Sequence, residues 1–244
     1  MARDTNENYR FSIGLTEEGA SGCIVERVDE QLTPYKWPRQ KRSRESLERL
    51  LEAAQEQIRS HGFEALTING VVNSIGLSVG AFYARFPDKT ALLHSLQDRF
   101  HNRLEPKIRQ EMLAEAGPKT TLEEAVDASV AVLIRNVMGE RELSRAFMSL
   151  SVTDPVLRAR GELVNRQRRE AFTEIIMRHK AEVGHPDPEL AINVAYGMYA
   201  AVIRGRLVFG LEHELYYGID SPTLYRELKL ALTLYLRGER PADC

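Results

Sequence analysis

Two hydroxyl residues, Thr67 and Ser78, stand on either side of Gly76 in this chain of 244 residues. A hydroxyl side chain can cap the N-terminus of a helix, and glycine permits a tight turn after a helix. A helix-turn-helix needs a first helix, a turn, and a second helix whose first residues reach base edges in the major groove of DNA. Residues 67–86 supply all three parts, so this spacing favours DNA recognition over a covalent reaction.

A catalytic or metal site is the alternative use of polar side chains, but the sequence has no evident set of nucleophile, base and metal ligands. Glu182 and His185 have the Glu-x-x-His spacing of carboxylate-bridged metal bundles. Gly184 and Pro186, however, predict that His185 lies in a loop. We therefore expect no enzyme, no metal site and no cofactor, and a helical enzyme or metal-binding bundle is the less favoured class of protein.

Helical patterns flank the 67–86 segment on both sides. Before it, apolar residues at steps of three and four predict a first helix, with Ser43 as its N-cap and Gly62 as its end. After Pro87, Leu92 and the apolar residues that follow it resume helical spacing. Pro106 should kink or end this later helix, because proline removes one backbone donor, and Gly117-Pro118 should close it. Two short helices thus lie between two longer ones.

Five further helices are predicted in the rest of the chain. Thr121 and Glu124 have the spacing of a capping box, which favours a helix at 121–138. The other patterns cover 143–150, 156–183, 188–211 and 222–236. Almost nothing alternates with period two, so the fold class is all-α with about nine helices.

Composition sets wider bounds on the class of protein. The hydrophobic content is 43% and the formal charge is −2, so DNA binding must depend on local clusters of Lys and Arg. The two cysteines, Cys23 and Cys244, form neither a disulfide framework nor a zinc motif. No apolar run approaches a membrane span, and we expect a soluble, cytoplasmic protein.

A family resemblance is carried by the residues from Thr67 to Leu93. The stretch resembles the DNA-binding motif of TetR-family transcriptional regulators, and the similar region covers about residues 43–100. The residues that match the motif are Thr67, Gly76, Ser78, Gly80, Tyr83, Phe86 and Lys89. The resemblance implies a three-helix DNA-binding head at 38–90, a helical effector-binding and dimerisation body at 91–240, and an extension of unknown role at 1–37.

The same resemblance implies how the head meets DNA. Thr67, Tyr83 and Lys89 would touch phosphates, which position a protein on the duplex, while base contacts specify the sequence. Ser78 and Arg85 complete the candidate set, and the start of the second helix would face the groove through Val79, Gly80 and Ala81. Val79 and Ala84 stand where the family often has longer polar residues, so direct hydrogen bonds to bases should be few.

A basic stretch precedes the head, and two interpretations of it stay open. It resembles the N-terminal arm that many family members lay along DNA, where arginine can enter the minor groove. It is equally typical of a solvated basic linker. The candidate arm residues are Arg39, Lys41, Arg42 and Arg44.

The resemblance also implies an effector pocket and a homodimer. Large side chains on the central helices are candidate pocket residues, although ordinary core packing is the more common role of such residues: Phe100, Leu104, Phe147, Met148, Phe172, Ile176, Tyr196 and Met198. Arg135, Arg145, Arg204 and Arg206 could orient an anionic effector, although surface or intersubunit pairing is the more common role of such residues. Stripes on the last two long helices would pair with a second subunit, or pack within their own: Ala191, Ala195, Val202, Leu224, Leu228, Leu232 and Tyr235.

The function expected from these features is a repressor that binds a palindromic operator as a dimer and is released by a small molecule. A regulator controlled by a protein partner, or an activator, is the alternative. In either case a ligand can act only through its different affinities for two conformations of the protein.

Overall fold

The computed structural model describes residues 41–116, 121–210 and 218–238. Within these ranges all regular secondary structure is helical, with nine α-helices and one 3₁₀ helix, which confirms the predicted all-α class. In chain order the elements are α1 Lys41–His61, α2 Ile68–Ser74, α3 Val79–Tyr83, α4 Lys89–Glu115, α5 Leu122–Gly139, α6 Arg141–Leu150, α7 Pro155–Ile176, the 3₁₀ helix Met177–Glu182, α8 Pro188–Phe209 and α9 Ser221–Arg237.

The ends of the first long helices differ in part from the predictions. Helix α1 already includes Ser43, so Ser43 is not its N-cap. Gly62 follows α1 with a φ of +80°, a conformation that glycine adopts at little cost and that ends the helix as predicted. Helix α4 runs through Pro106 to Glu115, so the proline does not end it. The buried side chains on both sides of Pro106 hold α4 in place despite the lost hydrogen bond.

Carboxylate and hydroxyl caps begin α5, α7, α8 and α9. The capping box before α5 is confirmed, because Thr121 Oγ1 accepts from the Glu124 N–H and Glu124 Oε2 accepts from the Thr121 N–H. Asp154, Asp187 and Asp220 cap α7, α8 and α9, and a proline stands at the first or second position of each helix. Helix α7 is shorter than predicted, because the chain tightens into the 3₁₀ helix at Met177. The predicted closing pair of α4, Gly117-Pro118, lies outside the described residues.

One continuous buried core runs through the described helices. In the N-terminal part, Leu50 and Leu51 of α1 lie in the same core as Val72, Phe82 and Phe86. Fully burying side chains of this size stabilises a fold by about 1.5–3 kcal/mol each. Helix α4 starts at this small core and then packs against α5 and α7, so one rigid element joins the head to the body.

Candidate nucleic-acid interface and effector cavity

The turn between α2 and α3 has the geometry that a helix-turn-helix requires. Thr67 Oγ1 accepts from the Gly70 N–H and caps α2 at 3.0 Å, and Ser78 Oγ accepts from the Ala81 N–H and caps α3 at 3.1 Å. Gly76 takes a φ of +67° in the turn, and Leu77 N donates back to Val72 O. Both predicted caps and the glycine turn are therefore confirmed.

A close approach between α1 and α2 explains a glycine in the middle of the short helix. A Cβ at Gly70 would lie 2.5 Å from Gln57 Nε2 and 2.9 Å from Thr67 Oγ1. In a helix interior glycine costs about 1 kcal/mol relative to alanine. The close contact with α1 favours glycine here, because a Cβ would have to displace the end of the Gln57 side chain or the Thr67 cap.

One side of helix α3 packs on the core of the head, and the opposite side is exposed. Phe82 and Phe86 are fully buried with ring centroids 5.4 Å apart. Arg49 on α1 donates to the Ile75 carbonyl at 2.7 Å and fixes the end of α2. The side of α3 that faces away from this core is accessible, with Val79 40% and Tyr83 54% exposed. Short side chains, an aromatic ring and an uncovered helix N-terminus thus share one surface.

The other candidate DNA residues have intramolecular partners or lie beyond what is described. Lys89 Nζ donates to the Leu66 carbonyl at 2.7 Å and lies over the Phe63 ring, so it ties the α1–α2 loop to the start of α4. Arg85 Nη1 donates to the Ala81 carbonyl in its own helix region. Arg39 and the side chains of Lys41, Arg42 and Arg44 lie outside the described structure.

A cavity of about 520 Å³ opens among α4, α6, α7 and α8. This volume lies in the range of small-molecule sites in proteins. Four of the predicted pocket residues line it: Phe100, Phe147, Met148 and Tyr196. Four others do not: Leu104, Phe172 and Ile176 are buried in the core away from its wall, and Met198 is 38% exposed on the outer side of α8.

An ion pair that the sequence analysis did not anticipate joins α4 to α7 beside this cavity. Arg168 Nε donates to Glu105 Oε2 at 2.7 Å and Arg168 Nη2 to Glu105 Oε1 at 2.5 Å, a bidentate pair. His101 Nδ1 lies 3.4 Å from the same carboxylate. Burial raises the pKa of Glu105, but the charge of Arg168 and the hydrogen bonds outweigh it and hold the pKa below the ordinary value. The pair is therefore charged at neutral pH.

Nearer the DNA-binding head, α4 is clamped to the start of α7. His94 Nε2 lies 2.7 Å from Asp154 Oδ2, and Asp154 Oδ1 caps α7. Gln97 Nε2 donates to the Leu157 carbonyl at 3.0 Å, and Arg160 Nη1 donates to the His94 carbonyl at 2.6 Å. Gln97 and Leu157 also line the cavity, so this α4–α7 clamp is part of the cavity wall. No spacing in the sequence indicates it, because its members lie about 60 residues apart.

Of the arginines proposed to face an anionic effector, only Arg204 lines the cavity. Arg135 pairs with Glu111 and Glu115, and Arg206 donates to Ser221 Oγ between α8 and α9. The Glu182 carboxylate accepts from the Leu122 N–H. No group of three or more His, Cys, Asp or Glu residues suited to a metal ion occurs among the described residues.

The candidate dimer residues divide by burial. Ala191, Ala195, Leu228 and Leu232 are buried in the protein's own core, so they cannot reach a second subunit. Val202, Leu224 and Tyr235 are half-buried. The exposed large apolar residues of α8 and α9 lie on other faces of these helices: Leu190, Val194, Met198, Val208, Phe209, Leu230 and Leu234. The stripes visible in the sequence are thus mainly the inward faces.

A helix-turn-helix head joined by one helix to a helical body that contains a cavity defines a DNA-binding transcriptional regulator. Two family models agree with this assignment. "Bacterial regulatory proteins, tetR family" matches residues 50–96, and "Tetracyclin repressor-like, C-terminal domain" matches residues 121–236, which together are more than half of the chain. The chain belongs to the TetR family, a family of regulators and not of enzymes.

Individual relatives are more distant. The HTH-type transcriptional repressor KstR of Mycobacterium tuberculosis is 29% identical over 105 residues, which are 43% of this chain and 48% of KstR. The chain thus spans about half the length of this curated relative. Among solved structures, a TetR-family regulator from Mesorhizobium loti has a TM-score of 0.64 at 17% identity, over 81% of this chain and 98% of the other. The fatty acid degradation regulator FadR from Bacillus halodurans has a TM-score of 0.56 at 20% identity, over 81% and 97%.

These structural likenesses establish the fold of the chain. The described helices include none that is both long and apolar enough to cross a membrane.

Proposed function

We propose that this chain is a repressor that binds a palindromic operator as a dimer and leaves it when a small molecule enters the cavity among α4, α6, α7 and α8. The observation that carries the proposal is the continuity of α4. This helix begins at Lys89, directly after the helix-turn-helix, and forms part of the cavity wall through Gln97 and Phe100. A change at the cavity therefore has a direct physical route to the DNA-binding head.

In the proposed DNA complex, the open side of α3 enters the major groove. Val79, Gly80 and Ala81 lie at its first turn, where short side chains let the backbone approach base edges. Thr67 and Tyr83 would contact phosphates on either side, because both are exposed next to this turn. Ser78 would combine capping with a contact to DNA.

Lys89 and Arg85 would act differently from the original expectation. The Leu66 carbonyl takes up one of the three donors of the Lys89 ammonium, so two donors remain for a phosphate. Arg85 uses Nη1 for the Ala81 carbonyl, and its positive charge would still attract a phosphate. Each would therefore fix the local backbone and neutralise phosphate charge. For each phosphate neutralised, the logarithm of the binding constant falls with the logarithm of the salt concentration by a slope of about −0.9.

The dimer that we propose uses the outward faces of the last two long helices. Leu190, Val194 and Met198 recur every four residues and form one exposed stripe on α8. Leu230 and Leu234 have the same spacing on α9. Exposed apolar patches of this kind mark association surfaces, and a two-fold pair of helices from each subunit would cover them.

A selection from a randomised duplex library with purified protein tests the DNA-binding part. We expect an enriched sequence with two half-sites about one helical turn apart, and a dimer on DNA by native mass spectrometry. Ala81→Glu should abolish the enrichment. Failure of the wild-type protein to bind any duplex at low salt would refute the proposal. If no small molecule released the protein from its operator but a protein partner did, the DNA-binding part of the proposal would stand. Control by a protein partner would then replace control by a small-molecule effector.

A further inference from the structure

The buried part of the cavity lining suits an apolar molecule. Phe100, Phe147 and Val164 are buried side chains of this lining. The Tyr196 hydroxyl, a polar group on the same wall, already donates to Asn165 Oδ1 at 3.2 Å. A charged or strongly polar group placed here would lose its hydrogen bonds to water among apolar side chains, which is unfavourable. We therefore expect the body of a ligand to be apolar and any charged group to lie where the cavity meets solvent.

The exposed part of the lining is positively charged. Arg158, Glu162 and Arg204 are the charged residues of the lining that are exposed to solvent, and we call them the mouth of the cavity. Two of the three are cationic, and Glu162 forms no ion pair with either arginine in the described structure. Deeper in the wall, Arg168 is neutralised by Glu105 through their bidentate pair. The positive charge that an incoming ligand meets is therefore concentrated at the mouth.

Arg204 is the arginine of the mouth whose guanidinium is available to a ligand. Arg158 donates through Nε and Nη2 to two backbone carbonyls just after α6, whereas Arg204 makes no hydrogen bond or ion pair with the residues that the structure describes. Burial raises the pKa of Tyr196 to about 12, and the nearby charges of Arg168 and Arg204 partly offset that rise. The charge of Arg204 therefore acts on the cavity wall. A planar guanidinium can donate to two oxygens of a carboxylate or a phosphate at once.

Resting on the proposed effector cavity, we infer that the effector is an amphipathic anion, with an apolar body in the cavity and a carboxylate or phosphate group that Arg204 binds at the mouth. The anionic group stays in contact with water there, because Arg204 is exposed, so binding avoids most of the cost of burying a charge. A cationic group would instead enter against the net charge of the mouth. Arg204 is thus the specificity-determining residue of the cavity.

Four probes with the same ten-carbon chain and different head groups test this inference by calorimetric titration of the full chain at low ionic strength. They are decanoate, decyl phosphate, decanol and decylammonium, used below micelle-forming concentrations. An ion pair at an exposed site corresponds to at most about a fivefold difference in affinity. We expect at least one of the two anions to bind about fivefold more tightly than decanol, and decylammonium to bind most weakly. The comparison of decanoate with decyl phosphate identifies which anionic group Arg204 takes.

Three variants separate this inference from the proposed function. Arg204→Gln removes the charge and should bring the preferred anion within about twofold of decanol, while the affinity for decanol stays unchanged. Arg166→Gln is the matched control, because Arg166 is an exposed arginine of α7 that does not line the cavity, and it should leave all four affinities unchanged. Gly161→Phe should remove the binding of all four probes, because Gly161 lines the cavity and a side chain there meets open space. The wild-type ranking tests the inference by itself if Arg204→Gln does not fold.

The outcomes distinguish the two ideas. Decanol or decylammonium that binds wild-type protein as tightly as both anions, or an anion preference that folded Arg204→Gln retains or that Arg166→Gln loses equally, would overturn the inference while leaving the cavity as the site. No binding of any probe to folded wild-type protein, or binding that Gly161→Phe leaves intact, would instead overturn the cavity as the effector site. An anion preference that depends on Arg204 and is blocked by Gly161→Phe supports both.

Discussion

Substitution of Gly80 by glutamate separates DNA recognition from stability. Gly80 is the second residue of α3, and a Cβ there would meet only Ser78 Oγ, 3.8 Å away. Glycine is worse than glutamate in a helix by roughly 0.5 kcal/mol, and a negative charge in the first turn gains about 0.3–1 kcal/mol from the helix dipole. Gly80→Glu should therefore leave the free energy of unfolding unchanged or raise it by about 1 kcal/mol.

The same carboxylate should be strongly unfavourable on DNA if this side of α3 enters the groove. Two like charges about 8 Å apart repel by roughly 2 kcal/mol at an effective dielectric constant of 20. That is about 30-fold in affinity for each half-site, and on the order of 10³ for a dimer on two half-sites. Added salt should reduce the difference, because it screens the repulsion.

Fluorescence anisotropy on the selected operator and urea unfolding followed by circular dichroism measure the two effects. Gly139→Glu is the matched control, since it adds the same charge where nothing lies within 4 Å of the Cβ position, on the body rather than the head. The control should bind DNA like the wild type. Operator affinity within threefold of wild type for stable Gly80→Glu would refute the proposed orientation of α3.

Three further outcomes follow from other parts of the fold. A methyl group at Gly184 would overlap the backbone at the end of α9, so Gly184→Ala should lower the free energy of unfolding by about 1–3 kcal/mol and lower Tm. Gly161→Ala is the matched control. Because open space surrounds Gly161, this substitution should raise Tm by about 2–4 °C. Burial raises the pKa of Glu105, but the charge of Arg168 and the hydrogen bonds outweigh it, so the pKa lies below its ordinary 4.5. The Glu105 carboxylate therefore stabilises the fold above pH 4.5, and this stabilisation is lost as pH falls through the folded pKa. In Glu105→Gln the free energy of unfolding should accordingly depend less on pH in this range. Leu234→Glu should convert the proposed dimer to a monomer in sedimentation velocity, with no change in helix content.

The head was predictable in detail because its function depends on local geometry. A cap, a glycine turn and a second cap are fixed by residues a few positions apart, so Thr67, Gly76 and Ser78 could be assigned before any tertiary contact was known. The exception is Lys89, whose ammonium holds the distant Leu66 carbonyl. That contact depends on how α4 folds back on the α1–α2 loop, and no local pattern encodes it.

The body was predictable as a set of helices but not as a site. Periodicity identifies an apolar face of α8, yet it cannot say whether that face meets its own core or a second subunit. Ala195 and Leu232 therefore appeared suited to a dimer although both are fully buried. The Glu105–Arg168 pair likewise joins residues 63 positions apart, and each alone has the appearance of an ordinary surface charge.

The strengths of the contacts between head and body bear on how a cavity ligand could move the head. On the outside, Glu140 at the α5–α6 turn binds Arg59 of α1 and Arg103 of α4, but both arginines are substantially exposed, and such pairs contribute about 0–1 kcal/mol. On the inside, the α4–α7 clamp around His94 and Gln97 is buried, and disrupting a buried polar contact costs more. The outer contact between head and body is therefore weak, whereas the clamp that fixes α4, the helix continuous with the head, is firm. A ligand in the cavity would lie against Gln97 and so act at the firm attachment, and the weak outer pair would allow α1 to follow α4. The quantity to compare is the fold-decrease in operator affinity that a cavity ligand causes. Charge reversal of Glu140 should accordingly alter this fold-decrease less than loss of the Gln97 amide does.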